Sequence, residues 1–247
     1  MDRFFGRVSE GEAVINTPEE LKHFKVKRVK KGDPVEIIDE KSLTPYLCEV
    51  LAVEKKRVVL KVLERLTPNV PELFIRLYQC VPVKVSTFDE IVEKVSEVGV
   101  SEIVPVVSKR SFQKLSVIKE KMKRWERIAK ESMKQCGRHR PLKVSPPVVL
   151  DSITPREDFL NLFPFERGGE ALCSLLSKEL QRPNGVNLII GPEGGFTAEE
   201  ADTLTEKGFK RVSLGNFVLR AETAAVVASA VVYNGLFYKP RGMDVGE

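Results

Sequence analysis

Leu188-Ile189-Ile190-Gly191-Pro192-Glu193-Gly194-Gly195-Phe196-Thr197 reads as the end of a short buried strand followed by a Gly-Pro-Glu-Gly-Gly loop. Thr197 and Glu200 have the Thr-x-x-Glu spacing of a capping box, so a helix starts where the loop stops and the loop hangs between two rigid elements. Glycine and proline hold turns closed to other residues and let a ligand approach bare backbone N–H and C=O groups. A plain strand-to-helix turn has the same composition, so this loop alone leaves both readings open. A second loop favours the ligand. Leu214-Gly215-Asn216-Phe217-Val218-Leu219-Arg220-Ala221-Glu222-Thr223-Ala224 again runs from a strand end through a glycine turn into a long helix. Neither loop, nor any other stretch, has the Gly-x-Gly-x-x-Gly or Walker spacing that cradles a phosphate chain.

Around these loops the chain is long enough for one small and one larger core, with 247 residues of which 42% are hydrophobic. Cys48, Cys80, Cys136 and Cys173 lie far apart, and His23 and His139 are remote from them in sequence, so neither a metal site nor a disulfide framework is expected. The N-terminus has no basic-then-apolar signal, and the longest apolar run, from Ala224 to Val232, is too short to span a bilayer. A soluble cytoplasmic protein is the expectation. Net charge is only +5, yet between Lys109 and Lys143 stand 13 Lys/Arg against 3 Glu, a local balance of +10. Such a concentration suits a phosphate backbone, whose condensed counterions are released as each phosphate is neutralised.

Read in order, residues 1–66 alternate short β-like runs with polar turns. Thr17-Pro18-Glu19-Glu20 starts a helix running toward Val29, with Thr17 as cap and Glu20 completing a capping box. Val35–Asp39, Tyr46–Val53 and Arg57–Leu63 read as strands. Thr67-Pro68-Asn69-Val70-Pro71 is a linker by composition, placing a boundary at 67–72 and a second domain over 73–247. That domain alternates strands (Leu73–Val81, Ile103–Val107, Leu160–Phe165) with helices (from Thr87 to Gly99, Ser116–Cys136, Glu170–Leu180 and Ala221–Tyr238), the pattern of a parallel α/β sheet. Thr87 is the expected cap of the first of these helices. On the helix over Ser116–Cys136, Ile118, Met122, Trp125, Ala129, Ser132 and Cys136 share one face and should be core. Lys119, Lys123, Arg127, Lys130 and Lys134 form a basic stripe, which Gln135, Gly137, Arg138, His139 and Arg140 extend into a flexible loop.

The two loops, together with Arg3-Phe4-Phe5, His23 to Asp33, GVSEIVPVVSKRS from Gly99 and RWERIAKESMKQCGR from Arg124, resemble the SPOUT methyltransferases, specifically RsmE-type enzymes that methylate N3 of a uridine in 16S rRNA. The resemblance implies an α/β fold with a trefoil-knotted parallel sheet, a small N-terminal PUA-like β-barrel over residues 1–66, and a homodimer. It implies S-adenosylmethionine as cofactor, no metal, and as partner 16S rRNA in an assembled small ribosomal subunit, with a decoding-region uridine as target. Gly191, Pro192, Glu193, Gly194 and Gly195 of the first loop, and Leu214, Gly215, Val218 and Leu219 of the second, are the implied cofactor residues, with Thr223 and Glu166 at the edges. Arg3, Arg7, Lys109, Arg110, Lys123, Arg127, Lys130 and Arg138 are the candidate RNA contacts. Arg220, if buried at the head of the last helix, is suited to stabilising negative charge on the base, and Glu222 is the nearest carboxylate to accept the imide proton. Phe217 departs from the family, which more often has a basic residue there. The alternatives are a SPOUT methyltransferase acting on another rRNA or tRNA nucleotide, and a non-catalytic ribosome-assembly protein.

Overall fold

A computed structural model describes residues 1–237; the end of the expected last helix, Tyr238, and the rest of residues 238–247 lie outside the described residues. The chain forms two compact units, one of Met1–Val70 with Met133–Arg140 and one of Pro71–Ser132 with the chain from Pro141 onward.

In the first unit β1 (Arg3–Ser9), β2 (Glu12–Ile15), β3 (Pro34–Asp39), β4 (Pro45–Val53) and β5 (Val58–Arg65) close a barrel in the order β1-β2-β5-β4-β3. Strand alternation sends Phe4, Ile37, Cys48, Val50, Val58 and Leu60 into one core. Helix α1 (Pro18–Lys27) begins at the cap Thr17, whose side chain accepts from the Glu20 amide, and ends at Arg28 with φ 58°. The Glu20 carboxylate does not reach back to the cap as its spacing suggested. It is buried and instead accepts from the Phe5 amide at 3.1 Å and from Lys134 Nζ at 2.7 Å, because a carboxylate removed from water must find donors wherever they stand.

The expected flexible basic loop after Cys136 is also corrected. Gly137, Arg138 and His139 are buried. His139 Nδ1 accepts from the Asn69 amide at 2.6 Å, so the ring proton sits on Nε2, 2.8 Å from Glu36 Oε1. Glu36 is only 3% exposed and also receives Arg3 Nε at 2.8 Å. The need of that buried carboxylate for donors takes His139 out of solvent and leaves Arg3 partly buried, while Arg138 Nε turns to the Arg140 carbonyl.

In the second unit β6 (Ile75–Cys80), β7 (Glu102–Val107), β8 (Lys143–Val144), β10 (Phe159–Pro164), β11 (Glu170–Ala171), β12 (Gly185–Ile190) and β13 (Lys210–Ser213) line up as β11-β13-β10-β12-β6-β7-β8, with β9 (Val148–Val149) also on β7. Every pairing is parallel. The helices are α2 (Thr87–Glu97), α3 (Leu115–Cys136, of which the part up to Ser132 belongs to this unit), α4 (Leu172–Lys178), α5 (Ala198–Glu206) and α6 (Ala221–Phe237). A sheet with both faces covered has two cores, one gathering residues of α2, α3, α4 and α6 and one gathering Ala201 and Leu204 of α5.

Trp125 is fully buried, as its place on the apolar face of α3 requires, its ring centroid 4.2 Å from that of Phe88 with the planes tilted by 37°, and its indole N–H donates to Asp89 at 3.0 Å. Two local expectations fail. Thr87 is the first helical residue rather than the cap, since the amides of Thr87, Phe88 and Asp89 are already taken by carbonyls of Lys84, Val85 and Ser86. Residues 170–180 give only the seven residues of α4, because Glu170 and Ala171 pair with β13 instead of entering the helix.

Glu102, 5% exposed at the start of β7, receives Ser145 Oγ, Arg76 Nε at 2.7 Å and Lys143 Nζ at 3.0 Å. Burial raises its carboxyl pKa, but these donors outweigh burial and hold it below the ordinary value of 4.5. A depressed carboxyl contributes stability that is present above its unfolded value and lost as pH falls through the folded one. Glu102→Gln should therefore lower stability at neutral pH and flatten the loss of stability on acidification below about 4.5, read from urea midpoints across pH.

Candidate functional site

The middle of the sheet determines where the two glycine loops go. β10 lies between β12 and β13 and is parallel to both, with Leu162 opposite Leu188 on one side and Pro164 opposite Val212 on the other. The carboxyl ends of all three strands therefore face the same way, and the chain leaving each enters the same space, where open α/β sheets bind ligands. Residues after β10 (Phe165, Glu166), after β12 (Gly191 to Phe196) and after β13 (Leu214 to Leu219) line one pocket of about 240 Å³, floored by Ala221 and Ala224 of α6.

Among the described residues the pocket's ionisable side chains are Glu166 and Glu193 alone, and no Lys or Arg lines it. A nucleotide polyphosphate would find no counter-charge in this lining, whereas a ligand joining a neutral heterocycle to a positive centre meets apolar walls and two carboxylates. Gly195 has φ +65°, and a Cβ there would stand 2.9 Å from Glu166 Oε1. Glycine at this position thus lets the Glu166 side chain close over the loop. Burial pushes the thiols of Cys48 and Cys80 up to about 12, so neither supplies a thiolate nucleophile near neutral pH.

Three ties fix the first loop from outside. Glu193 Oε2 accepts from the Val83 amide at 3.1 Å, Arg110 Nη1 donates to the Gly194 carbonyl at 2.7 Å, and the capping box of Thr197 and Glu200 is formed in both directions. Thr197 Oγ1 accepts from the Glu200 amide at 3.1 Å and Glu200 Oε2 from the Thr197 amide at 2.8 Å.

The structure brings ten of the sequence-derived cofactor residues together around this pocket: Glu166, Gly191, Pro192, Glu193, Gly194 and Gly195, with Leu214, Gly215, Val218 and Leu219. Thr223 and Arg220 are exposed and outside the lining, and the half-buried Glu222 is outside it too. Arg220 is an exposed side chain rather than a buried one, standing immediately before α6 begins at Ala221, between the pocket residues Leu219 and Ala221. Among the lining residues that sequence reading missed are Phe165, Phe196, Ser213, Asn216 and Phe217. Adjacency to a glycine could have signalled Phe196 and Asn216 alone.

Lys119, Lys123, Arg127 and Lys130 are exposed along α3. Lys134 is not available, being paired with Glu20. Lys109 is paired with Glu199, and Arg7 lies 3.8 Å from Glu40.

A family model described as an RNA methyltransferase domain matches residues 70–233, and one described as an RNA methyltransferase PUA domain matches residues 15–63. The chain is 36% identical over 242 residues to ribosomal RNA small subunit methyltransferase E of Aquifex aeolicus, covering 95% of this chain and 100% of that one. This chain belongs to the ribosomal RNA small subunit methyltransferase E family.

The family member of Mesomycoplasma hyopneumoniae is 30% identical, with 92% of this chain and 96% of that one covered. Among solved structures, a family member from Neisseria gonorrhoeae bound to S-adenosyl methionine superposes with a TM-score of 0.79 at 26% identity, covering 96% of this chain and 98% of that one. A Legionella pneumophila protein in complex with the cofactor SAM gives 0.79 at 28% identity, covering 94% and 96%. The family's SPOUT-type sheet and PUA-like barrel are thus the two units described above.

Gly195→Val forces a β-branched side chain into a left-handed backbone and against Glu166, a strain of roughly 1–2 kcal/mol. The variant should stay folded, with its guanidinium midpoint lowered by an amount of that order and an unchanged slope.

Proposed function

We propose that the chain is an S-adenosylmethionine-dependent methyltransferase acting on 16S rRNA, and more finely on N3 of a decoding-region uridine in the assembled small subunit. The observation that carries the cofactor reading is the pocket's lining: bare loop backbone and apolar side chains with two carboxylates and, among the described residues, no cation. That donor set fits the adenosyl group, through backbone of Gly191, Glu193, Gly195, Leu214, Val218 and Leu219, and fits a sulfonium through the carboxylates of Glu166 and Glu193. When bound, the cofactor supplies a methyl group already activated as an electrophile, so the protein's task is placement. Rigid loops suit that task, because their geometry is set before the ligand arrives.

The residues of the chain divide the remaining work. Lys119, Lys123, Arg127 and Lys130, exposed on one helix, offer a phosphate-binding track. The exposed Arg220 and neighbouring Glu222 remain the candidates for steadying the reacting base and taking its proton. The domain assignment of 1–66 as an RNA-binding barrel, 67–72 as linker and 73–247 as a knotted catalytic domain belongs to the same reading. So does a homodimer, supported by Phe217 and Val218, which stand 86% and 83% exposed at the pocket rim in a single chain. Among the described residues no helix is long and apolar enough to cross a membrane.

The experiment that tests the function is mass spectrometry of 16S rRNA from cells with and without this protein. A methylated uridine missing only from the deletion strain is expected; an unchanged modification map refutes the rRNA reading.

Three variants separate the roles. Lys123, Arg127 and Lys130 replaced together by Ala should weaken RNA binding and flatten its salt slope by ~0.7–0.9 for each phosphate no longer neutralised, with little effect on turnover at saturating RNA. Arg220→Ala should instead slow single-turnover methylation at saturating RNA and cofactor while leaving the salt slope intact, and Arg220→Lys should rescue it only partly. Parental turnover in Arg220→Ala would remove Arg220 from the chemistry.

A further inference from the structure

Arg110 is a basic residue in the β7–α3 connection, and its charge invites assignment to RNA. Its surroundings point elsewhere. The guanidinium donates to the Gly194 carbonyl at 2.7 Å, and the aliphatic stem runs over the same residue, so that a Cβ on Gly194 would lie 3.3 Å from Arg110 Cδ and 3.6 Å from its Cβ. Gly194 has no side chain where the Arg110 stem passes.

The base of that arginine is itself held. Ser108 and Ser111 close a turn on each other, with the Ser108 amide donating to Ser111 Oγ at 2.8 Å, and Gln113 Nε2 donates to the Ser108 and Ser111 carbonyls at 2.6 Å each. One residue before Arg110, the Lys109 amide donates to Glu200 Oε1 at 2.7 Å. Glu200 is 5% exposed, and its other oxygen, Oε2, takes the Thr197 amide. A capping-box glutamate needs only the local half of this arrangement. The second half joins two segments 91 residues apart in sequence. One buried carboxylate therefore clamps the end of the glycine loop to the turn that carries Arg110, and Arg110 clamps the loop's middle. Neither side chain lines the pocket except through the loop: Arg110 and Glu200 are both absent from its walls.

We propose that Arg110 and Glu200 are positioning residues that hold the Gly191–Gly195 wall of the pocket in its ligand-ready shape, with Arg110 acting through the Gly194 carbonyl rather than on RNA phosphate. The ligand in question rests on the S-adenosylmethionine reading above; the clamp itself does not. Its physical role is preorganisation. A loop of three glycines would otherwise sample many backbone states, and only the fraction in the competent state binds.

The test uses the full chain with Arg110→Met, which keeps the stem and removes every donor, Arg110→Lys, which keeps one donor group, and Glu200→Gln, which must turn an amide N–H toward a backbone N–H on one side. Three quantities are measured: amide hydrogen exchange at Gly195 in the free protein, calorimetric affinity for S-adenosylhomocysteine, and the salt slope of RNA binding. The Gly195 amide is the natural reporter, since it donates to the Pro192 carbonyl at 2.9 Å inside the loop. For Arg110→Met, exchange about 10-fold faster and affinity about 10-fold weaker are expected, with the parental salt slope; Arg110→Lys should recover part of both. Glu200→Gln should move exchange the same way. Should Glu200→Gln fail to fold, the exposed Arg110 decides the matter alone. Parental exchange in Arg110→Met overturns the proposal, as does a salt slope flattened by ~0.7–0.9 with unchanged cofactor-analogue affinity, which would make Arg110 a phosphate ligand. A parental chain that binds no S-adenosylhomocysteine would refute the cofactor reading, leaving hydrogen exchange at Gly195 to support or overturn the clamp.

Discussion

The parallel pairing of β10 with both β12 and β13 is the constraint on which the site depends. In a parallel ladder the carboxyl ends of neighbouring strands must lie at the same edge, so three chain exits separated by tens of residues become neighbours. The pocket walls are then whatever follows those strands. One antiparallel partner in place of β13 would carry Leu214 to Leu219 to the opposite edge, and the glycine loop would face no second wall. Parallel strands require crossovers, and the helices that provide them build the two cores that hold the edge rigid.

Charge is sorted within the second unit in a way that follows from what each surface can tolerate. Among the described residues the pocket is lined by carboxylates and no cation, while exposed lysines and arginines run along α3. A cation in the pocket would repel a positively charged ligand in a site where apolar walls weaken screening, whereas the same cation on an exposed helix meets a polyanion at little desolvation cost. Segregation of the two thus permits a cationic cofactor and an anionic polymer to be bound by one protein.

Local charge content overstated the free basic surface. Of the residues that the sequence offered to RNA, Arg3 neutralises Glu36, Lys134 neutralises Glu20, Lys109 pairs with Glu199 and Arg110 holds a loop carbonyl. Two of these acids, Glu20 and Glu36, are buried, and a buried carboxylate without a donor costs far more than an exposed cation gains by staying free. Structural demand for donors was met first, and on α3 Lys119, Lys123, Arg127 and Lys130 keep exposed positions, with Arg127 Nε 3.7 Å from Glu131 Oε1.

Much of this was legible from the sequence because it is periodic or local. Repeats of three and four placed Ile118, Trp125 and Ala129 inward, alternating strands and helices implied a parallel sheet, and Thr197 with Glu200 marked the start of α5. Glycine spacing singled out both pocket loops, since the backbone conformations they need are restricted mainly by the residue itself. What only the tertiary structure decided is every long-range partnership: Glu20 with Phe5 and Lys134, Glu36 with His139, and Glu200 with the Lys109 amide. The same holds for the exposure of Arg220, which its place just before α6 left open. Sequence spacing fixes which groups are neighbours on one element. A buried polar group is satisfied by whichever donor the packing of distant elements brings within about 3 Å, and that choice is written in no local pattern.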